Sequence, residues 1–187
     1  MSTPRADHRP VTPRWRFDGF EALDVCHRET LRMLEQLDAL LRRLDEKGSD
    51  ARTREMAAEI DRHFSVTMRE HHEDEERHVF PAMFEDGGAT TRHAVECLRQ
   101  DHFWLEADWR ELSPLVDAIA HGQACCDIEA LCHGAEVFGQ LCHDHIALEE
   151  SLIYPRANAT MSETARGSMN REMALRRCRG PAFAARH

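Results

Sequence analysis

Apolar residues recur every three or four positions along four long stretches of the chain. Such a stripe is typical of a helix that packs one face against a core. The stretches are residues 18–46, 51–84, 90–120 and 126–156. Short segments rich in glycine and other turn-forming residues separate them. The pattern therefore predicts four helices of about 30 residues joined by short turns.

Four helices with short connections predict an all-α fold, an up-down-up-down four-helix bundle over residues 18–157. Pro10 and Pro13 break any helix in residues 1–17, which we expect to form a flexible N-terminal arm. Residues 158–187 form a basic C-terminal tail, whose first part permits a short helix (162–177) that docks on the bundle. We expect disorder beyond Arg179.

Histidine and glutamate interrupt the four apolar stripes at matched positions. The first stripe carries one histidine, the second a histidine and a glutamate, and the last two repeat this order: His27, His71 with Glu75, His102, and His145 with Glu149. Residues 71–81 and 145–155 both fit H-x-x-x-E-E-x-x-x-[aromatic]-P. Positions i and i+4 lie on one face of a helix, so each copy directs an imidazole and a carboxylate the same way.

The spacing of these residues is duplicated. His27 and His71 are 44 residues apart, and His102 and His145 are 43 apart. The halves 20–83 and 95–157 therefore look like two copies of one helical hairpin. A pseudo-twofold arrangement of the hairpins would bring all six side chains to one level of the bundle.

Six buried polar groups in one layer call for a compensating charge. An unpaired buried carboxylate costs several kcal/mol, against a net stability of ~5–15 kcal/mol for a typical domain. Two metal ions would supply the compensation, and mixed imidazole and carboxylate ligands suit iron, manganese or zinc. Two carboxylates for two ions suggest that Glu75 and Glu149 bridge them. Each ion then keeps two imidazoles and open positions for a small ligand.

Other polar residues near the motif are assigned to outer positions. We expect His72, Glu76 and Glu150 at the surface or behind the ligands, where a carboxylate can accept a ring N–H from a ligand histidine. We expect Asp101, next to His102, in a similar position. His78 faces the core side, but its counterpart Leu152 argues against a symmetric ligand role. Further histidines fall off the stripes and are predicted at the surface: His63, His93, His121, His133 and His143.

Net charge and hydrophobicity argue against several classes of binding partner. The formal charge of −10 argues against a nucleic-acid-binding protein, which normally has a basic face. No run of 18 apolar residues is present, so no membrane partner is expected. The N-terminal residues lack the apolar stretch of a secretory signal, and the predicted location is the cytoplasm.

These motifs resemble the hemerythrin-like HHE cation-binding family over roughly residues 18–157. The resemblance rests on His27, on Asp101-His102, and on the two H-x-x-x-E-E motifs with Phe80-Pro81 and Tyr154-Pro155. It implies a non-haem di-iron centre held by the six residues of the stripes. Oxygen-carrying members have His-x-x-x-His on the third helix, where this chain has Leu98 and Glu106 around His102. The ligand set is closest to the di-iron domain of iron–sulfur cluster repair proteins.

Three functions remain open at this point. The first is a protein that binds or senses O2, NO or peroxide at two iron ions. The second is an enzyme that repairs iron–sulfur clusters or turns over NO or peroxide. The third is a non-redox protein that binds zinc or stores metal. The sequence names no redox partner.

Overall fold

The computed structural model describes residues 17–86, 88–123 and 127–179, and helices form nearly all of these residues. In chain order they are α1 (Gly19–Lys47), α2 (Ala51–Arg62), a π-helical segment π1 (His63–Thr67), α3 (Met68–His78), α4 (Phe80–Asp86), α5 (Gly88–Ala120), α6 (Ile128–Leu148), a second π-helical segment π2 (Glu149–Ile153), α7 (Tyr154–Thr160) and α8 (Glu163–Arg179). The second long helix of the bundle is α2, π1 and α3 together, and the fourth is α6, π2 and α7.

The four long helices pack in chain order around one core. α1 contacts α2 and α6, and α5 contacts the same two helices from the opposite corner. The predicted all-α four-helix bundle is confirmed. Local signals fix the helix ends: Asp18 caps α1, and Asp50 with Thr53 forms a capping box at the start of α2. Within the described ranges, the helices are too short or too polar to span a membrane.

Proline shapes the ends of the second and fourth helices. The second helix breaks at Val79, two residues before Pro81, and α4 continues from Phe80. Pro81 has no N–H to donate to the preceding turn, which explains a break at this place. Pro155 lies instead in the first turn of α7, where a missing N–H costs nothing. Pro114 lies inside α5 without ending it.

Each π-helical segment inserts one extra residue into a turn. In π1 the Met68 N–H donates to the His63 carbonyl, five residues earlier, and in π2 the Tyr154 N–H donates to the Glu149 carbonyl. A residue therefore lies above the one five positions before it. The apolar stripe steps from Leu152, as predicted from α-helical spacing, to the fully buried Ile153.

The core consists of two apolar clusters. One includes Leu37, Ile60 and Phe138, and the other includes Leu23, Val79 and Leu98 near the opposite end of the bundle. The six histidines and glutamates of the stripes lie on the same helices between these clusters, and all six are buried. The bundle thus holds a polar layer within an apolar core.

The basic tail begins with a helix that docks on the bundle. Met169 and Met173 of α8 are fully buried in the second apolar cluster. The Gly19 N–H donates to Asn170 Oδ1 over 2.8 Å, and a Cβ at Gly19 would lie only 2.6 Å from Met169 Cε, so a larger residue there would make the Met169 side chain shift. The predicted N-terminal arm (1–16) and the end of the tail (180–187) lie outside the described residues.

Candidate metal centre

The structure brings all six predicted ligand residues into one buried cluster. His27 comes from α1 and His102 from α5, while the second and fourth helices each supply an imidazole and a carboxylate one turn apart. Glu75 and Glu149 have no solvent exposure, and the four imidazoles are also buried. The duplicated hairpins therefore place the side chains as the pseudo-twofold arrangement requires.

The first histidine pair is formed by His27 and His71, whose Nε2 atoms are 3.1 Å apart. His27 Nε2 lies 3.1 Å from Glu149 Oε2, and His71 Nε2 lies 3.4 Å from Glu75 Oε2. One ligand atom from each of these four residues falls within 4.8 Å of every other. This is a set of two imidazoles and two carboxylates that can surround one cation.

The second histidine pair, His102 and His145, uses the same two carboxylates. His102 Nε2 lies 3.4 Å from Glu75 Oε2, and His145 Nε2 lies 3.3 Å from Glu149 Oε1. Again one ligand atom per residue lies within 4.8 Å of the others. Glu75 and Glu149 therefore stand between the two imidazole pairs and can serve a cation on each side.

Carboxylates behind the cluster orient two of the four rings by hydrogen bonds, and a third carboxylate faces another ring. The His102 Nδ1–H donates to Glu76 over 2.9 Å, and the His27 Nδ1–H donates to Glu150 over 3.1 Å. His145 Nδ1 faces Asp101 at 3.7 Å. A proton held on Nδ1 leaves the Nε2 lone pair free for a metal ion.

Several polar atoms inside the cluster have no hydrogen-bond partner. In the described part of the chain, no hydrogen bond reaches Nε2 of His102 or His145, Oε2 of Glu75, or either carboxylate oxygen of Glu149. Such buried groups are costly without a partner. Their shared direction and their donor types fit cations, which would satisfy all of them together.

In the absence of metal, burial and neighbouring charges shift the pKa values of the cluster residues in opposing directions. Burial lowers the pKa of His71 well below its ordinary value. Burial and the nearby Glu149 raise the pKa of Glu75. For Glu149, burial acts upward, but His145 and His27 together hold its pKa well below the ordinary range. A cluster that mixes charged and neutral forms in this way is stabilised when metal cations replace the protons.

Comparison with known proteins agrees with this geometry. A family model for the hemerythrin HHE cation-binding domain matches residues 18–157. The chain belongs to the hemerythrin HHE family. It is also similar to a Haemophilus influenzae protein described as uncharacterized, with 29% identity over 160 residues that cover 86% of this chain and 90% of the relative. The matched domain is a cation-binding domain, and the buried cluster of histidines and glutamates lies within the matched residues.

A tyrosine that the stripes did not indicate contacts the cluster of this HHE domain. The Tyr154 hydroxyl donates to Glu75 Oε1 and lies 3.2 Å from His27 Nε2, and its ring stacks on His27. Phe80, at the equivalent place of the first motif, stacks on His102. α-Helical spacing alone would turn Tyr154 away from Glu149, whereas π2 places it directly above. The repeated aromatic position was the only signal in the sequence.

Two buried histidines of the HHE domain lie outside the six predicted ligands. His72, expected at the surface or behind the ligands, is buried behind them, where its ring stacks on His102. His63, predicted at the surface, is buried instead and hydrogen-bonds Thr30 at 2.9 Å, because π1 places it beneath Met68. The other four off-stripe histidines are exposed as predicted: His93, His121, His133 and His143.

His78 lies away from the ligand groups. Its Nε2 lies 3.7 Å from Glu172 and 3.4 Å from Arg176, both on α8. In the described residues, the groups able to hold a cation do not include it. Its partners are therefore those of a residue at the interface with the C-terminal helix.

Proposed function

We propose that the chain binds two iron ions and that the pair binds or senses O2, NO or peroxide. The four histidines would hold one ion per pair, and Glu75 and Glu149 would bridge the ions. The observation that carries this proposal is the sharing of both carboxylates by the two histidine pairs. A structural site for a single ion would have no use for a second, symmetric imidazole pair.

The ligand chemistry supports a redox metal. The ligand groups contain imidazole and carboxylate but no thiolate, a set that suits iron and manganese as well as zinc. Four imidazoles and two carboxylates leave coordination positions for a small exogenous ligand. Iron held by these residues would supply redox chemistry toward a diatomic ligand or peroxide.

The protein's own residues prepare the site for this use. Glu76 and Glu150 hold the His102 and His27 rings in place by hydrogen bonds, which keeps their Nε2 atoms directed inward. The apolar clusters on both sides exclude bulk water from the layer.

Anaerobic reconstitution tests the proposal. Metal-free protein would be loaded with ferrous iron under nitrogen and then exposed to O2, NO or hydrogen peroxide. New visible absorption bands are expected, and the zinc-loaded protein provides the colourless control. Iron-loaded protein whose spectrum is unchanged by all three reagents would contradict the proposal.

A further inference from the structure

His72 is a buried imidazole that the proposed centre does not use. Only 3% of its surface is exposed. Neither ring nitrogen has a hydrogen-bond partner in the described part of the chain. In either tautomer an imidazole carries at least one ring N–H that can donate a hydrogen bond. A buried group of this kind calls for a partner that the folded chain itself does not supply.

By distance alone, His72 could be a third imidazole ligand of an ion held by His102 and His145. One ring nitrogen of each residue lies within 4.8 Å of the others. The ring planes argue otherwise. The His72 and His102 rings stack with centroids 3.9 Å apart and planes inclined by only 12°. Imidazole lone pairs lie in the ring plane, and nearly parallel planes do not converge on one ion.

A cavity of about 350 Å³ leads to the His72 ring from outside the bundle. Its wall is apolar and comes from Phe64, Met68 and Leu105. Its outer part is polar, with the exposed residues Arg69 and Arg110 together with Ser113 and Glu106. The cavity therefore joins a rim with two guanidinium groups to the buried imidazole of His72 beside the cluster.

The pseudo-twofold relation makes this arrangement specific to one side of the centre. The residue that corresponds to His72 in the second hairpin is Ile146, which is apolar and buried. The histidine pair on the other side is instead bordered by the Tyr154 hydroxyl. The two metal positions thus have different neighbours although their ligands match.

We propose that this cavity admits a small anion to the position held by His102 and His145, and that His72 positions the bound anion through its ring N–H. The inference rests on the proposed function, because it needs an ion with an open coordination site. The two arginines favour a negative charge at the entrance, and the unpaired ring nitrogen supplies a donor at the inner end. His72 is a positioning residue for the exogenous ligand and not a ligand of the metal.

Azide binding to the diferric protein tests the inference. Azide is a small anion whose binding to ferric ions is followed by its charge-transfer absorption. Four variants are compared with the unaltered chain: His72→Phe, His72→Gln, Ser113→Phe at the cavity rim, and Ser49→Phe in a distant exposed turn as the matched control. Iron content per chain is measured for each, so that loss of metal is separated from loss of azide affinity.

The expected pattern differs for each variant. His72→Phe keeps two irons but raises the azide Kd at least about tenfold, the usual cost of losing a hydrogen bond to a charged group. His72→Gln, which keeps an N–H donor, recovers most of the affinity. Ser113→Phe slows azide association while leaving iron content unchanged, and Ser49→Phe behaves as the unaltered chain.

Distinct results would overturn the distinct parts of the inference. Loss of one iron in His72→Phe would make His72 a metal ligand. An unchanged azide Kd in that variant would remove its positioning role, and an unchanged association rate in Ser113→Phe would remove the cavity as the route. Absence of any azide band in the unaltered diferric protein would overturn the proposed function as well. The other failures leave that function standing.

Discussion

At the scale of single residues, adjacent glutamates have opposite tasks. Glu75 and Glu149 point into the polar layer, whereas Glu76 and Glu150 each accept a ring N–H from a histidine of the other hairpin. One residue along a helix turns the side chain by about 100°, which is enough to separate the two tasks. The sequence predicted this division, because only the first member of each pair lies on the apolar stripe.

Replacement of these glutamates should separate the two tasks in a metal assay. Glu75→Ala or Glu149→Ala removes a shared carboxylate, so metal content should fall to one ion or fewer per chain and the thermal midpoint should drop. Glu76→Ala removes only a partner of His102 and should retain most of the metal. Elemental analysis of the refolded variants gives the answer. Equal losses in Glu75→Ala and Glu76→Ala would mean that the wrong carboxylate has been assigned.

His63 provides a pH-dependent contribution to stability. Burial lowers its pKa from 6.5 to about 4, so the folded chain holds it neutral while the unfolded chain protonates it. The contribution of neutral His63 to the free energy of unfolding is complete above pH 6.5 and is lost as the pH falls towards 4. The loss is about 2 kcal/mol at pH 4.5. His63→Gln should therefore lose less unfolding free energy than the unaltered chain between pH 7.5 and 4.5. Denaturant titrations at both pH values measure the difference, and equal acid sensitivity would contradict it.

At the scale of the helices, the π-helical segments mark the limit of what periodicity could predict. The apolar stripes, the turns and the prolines were sufficient to locate the four long helices. The count of 3.6 residues per turn could not reveal the extra residue in π1 or π2. That residue changes which side chains face inward, and so it accounts for buried His63, for Ile153 in place of Leu152, and for Tyr154.

The C-terminal helix is held by a charge pair that the sequence did not indicate. Asp74 of α3 is only 3% exposed, and it contacts Arg176 and, at 3.2 Å, Arg177 of α8. The carboxylate adjoins Glu75 in sequence, so the docked helix covers the back of the ligand-bearing turn.

Removal of both arginines should destabilise the chain. Arg176→Ala with Arg177→Ala leaves the Asp74 carboxylate without a counter-charge, at a cost of about 2 kcal/mol in unfolding free energy. Asp74→Asn in the same background should restore part of the loss, because a neutral amide is cheaper to bury. Arg171→Ala, on an exposed face of α8, is the control. Urea unfolding that gives the same stability for the double variant and the control would contradict the role of the pair.

At the scale of the whole molecule, two similar hairpins enclose one polar layer. Matched spacing in the sequence was enough to predict that the six ligand residues meet, because the hairpins are related by a pseudo-twofold relation. Departures from that symmetry were not predictable. Asp101, which faces His145, corresponds to Cys26 in the other hairpin, and His72 corresponds to Ile146. These differences depend on packing between helices, which a stripe of apolar positions does not encode.

The identity and number of the bound metal ions test the account most directly. Elemental analysis of the protein purified from its native host should give two iron atoms per chain, and Mössbauer spectra of that protein should show an interacting pair of ferric ions after oxidation. The expected number of ions follows from two histidine pairs that share Glu75 and Glu149, and iron is the metal that the proposed function requires. One metal ion per chain, or zinc with no iron, would contradict the central claim.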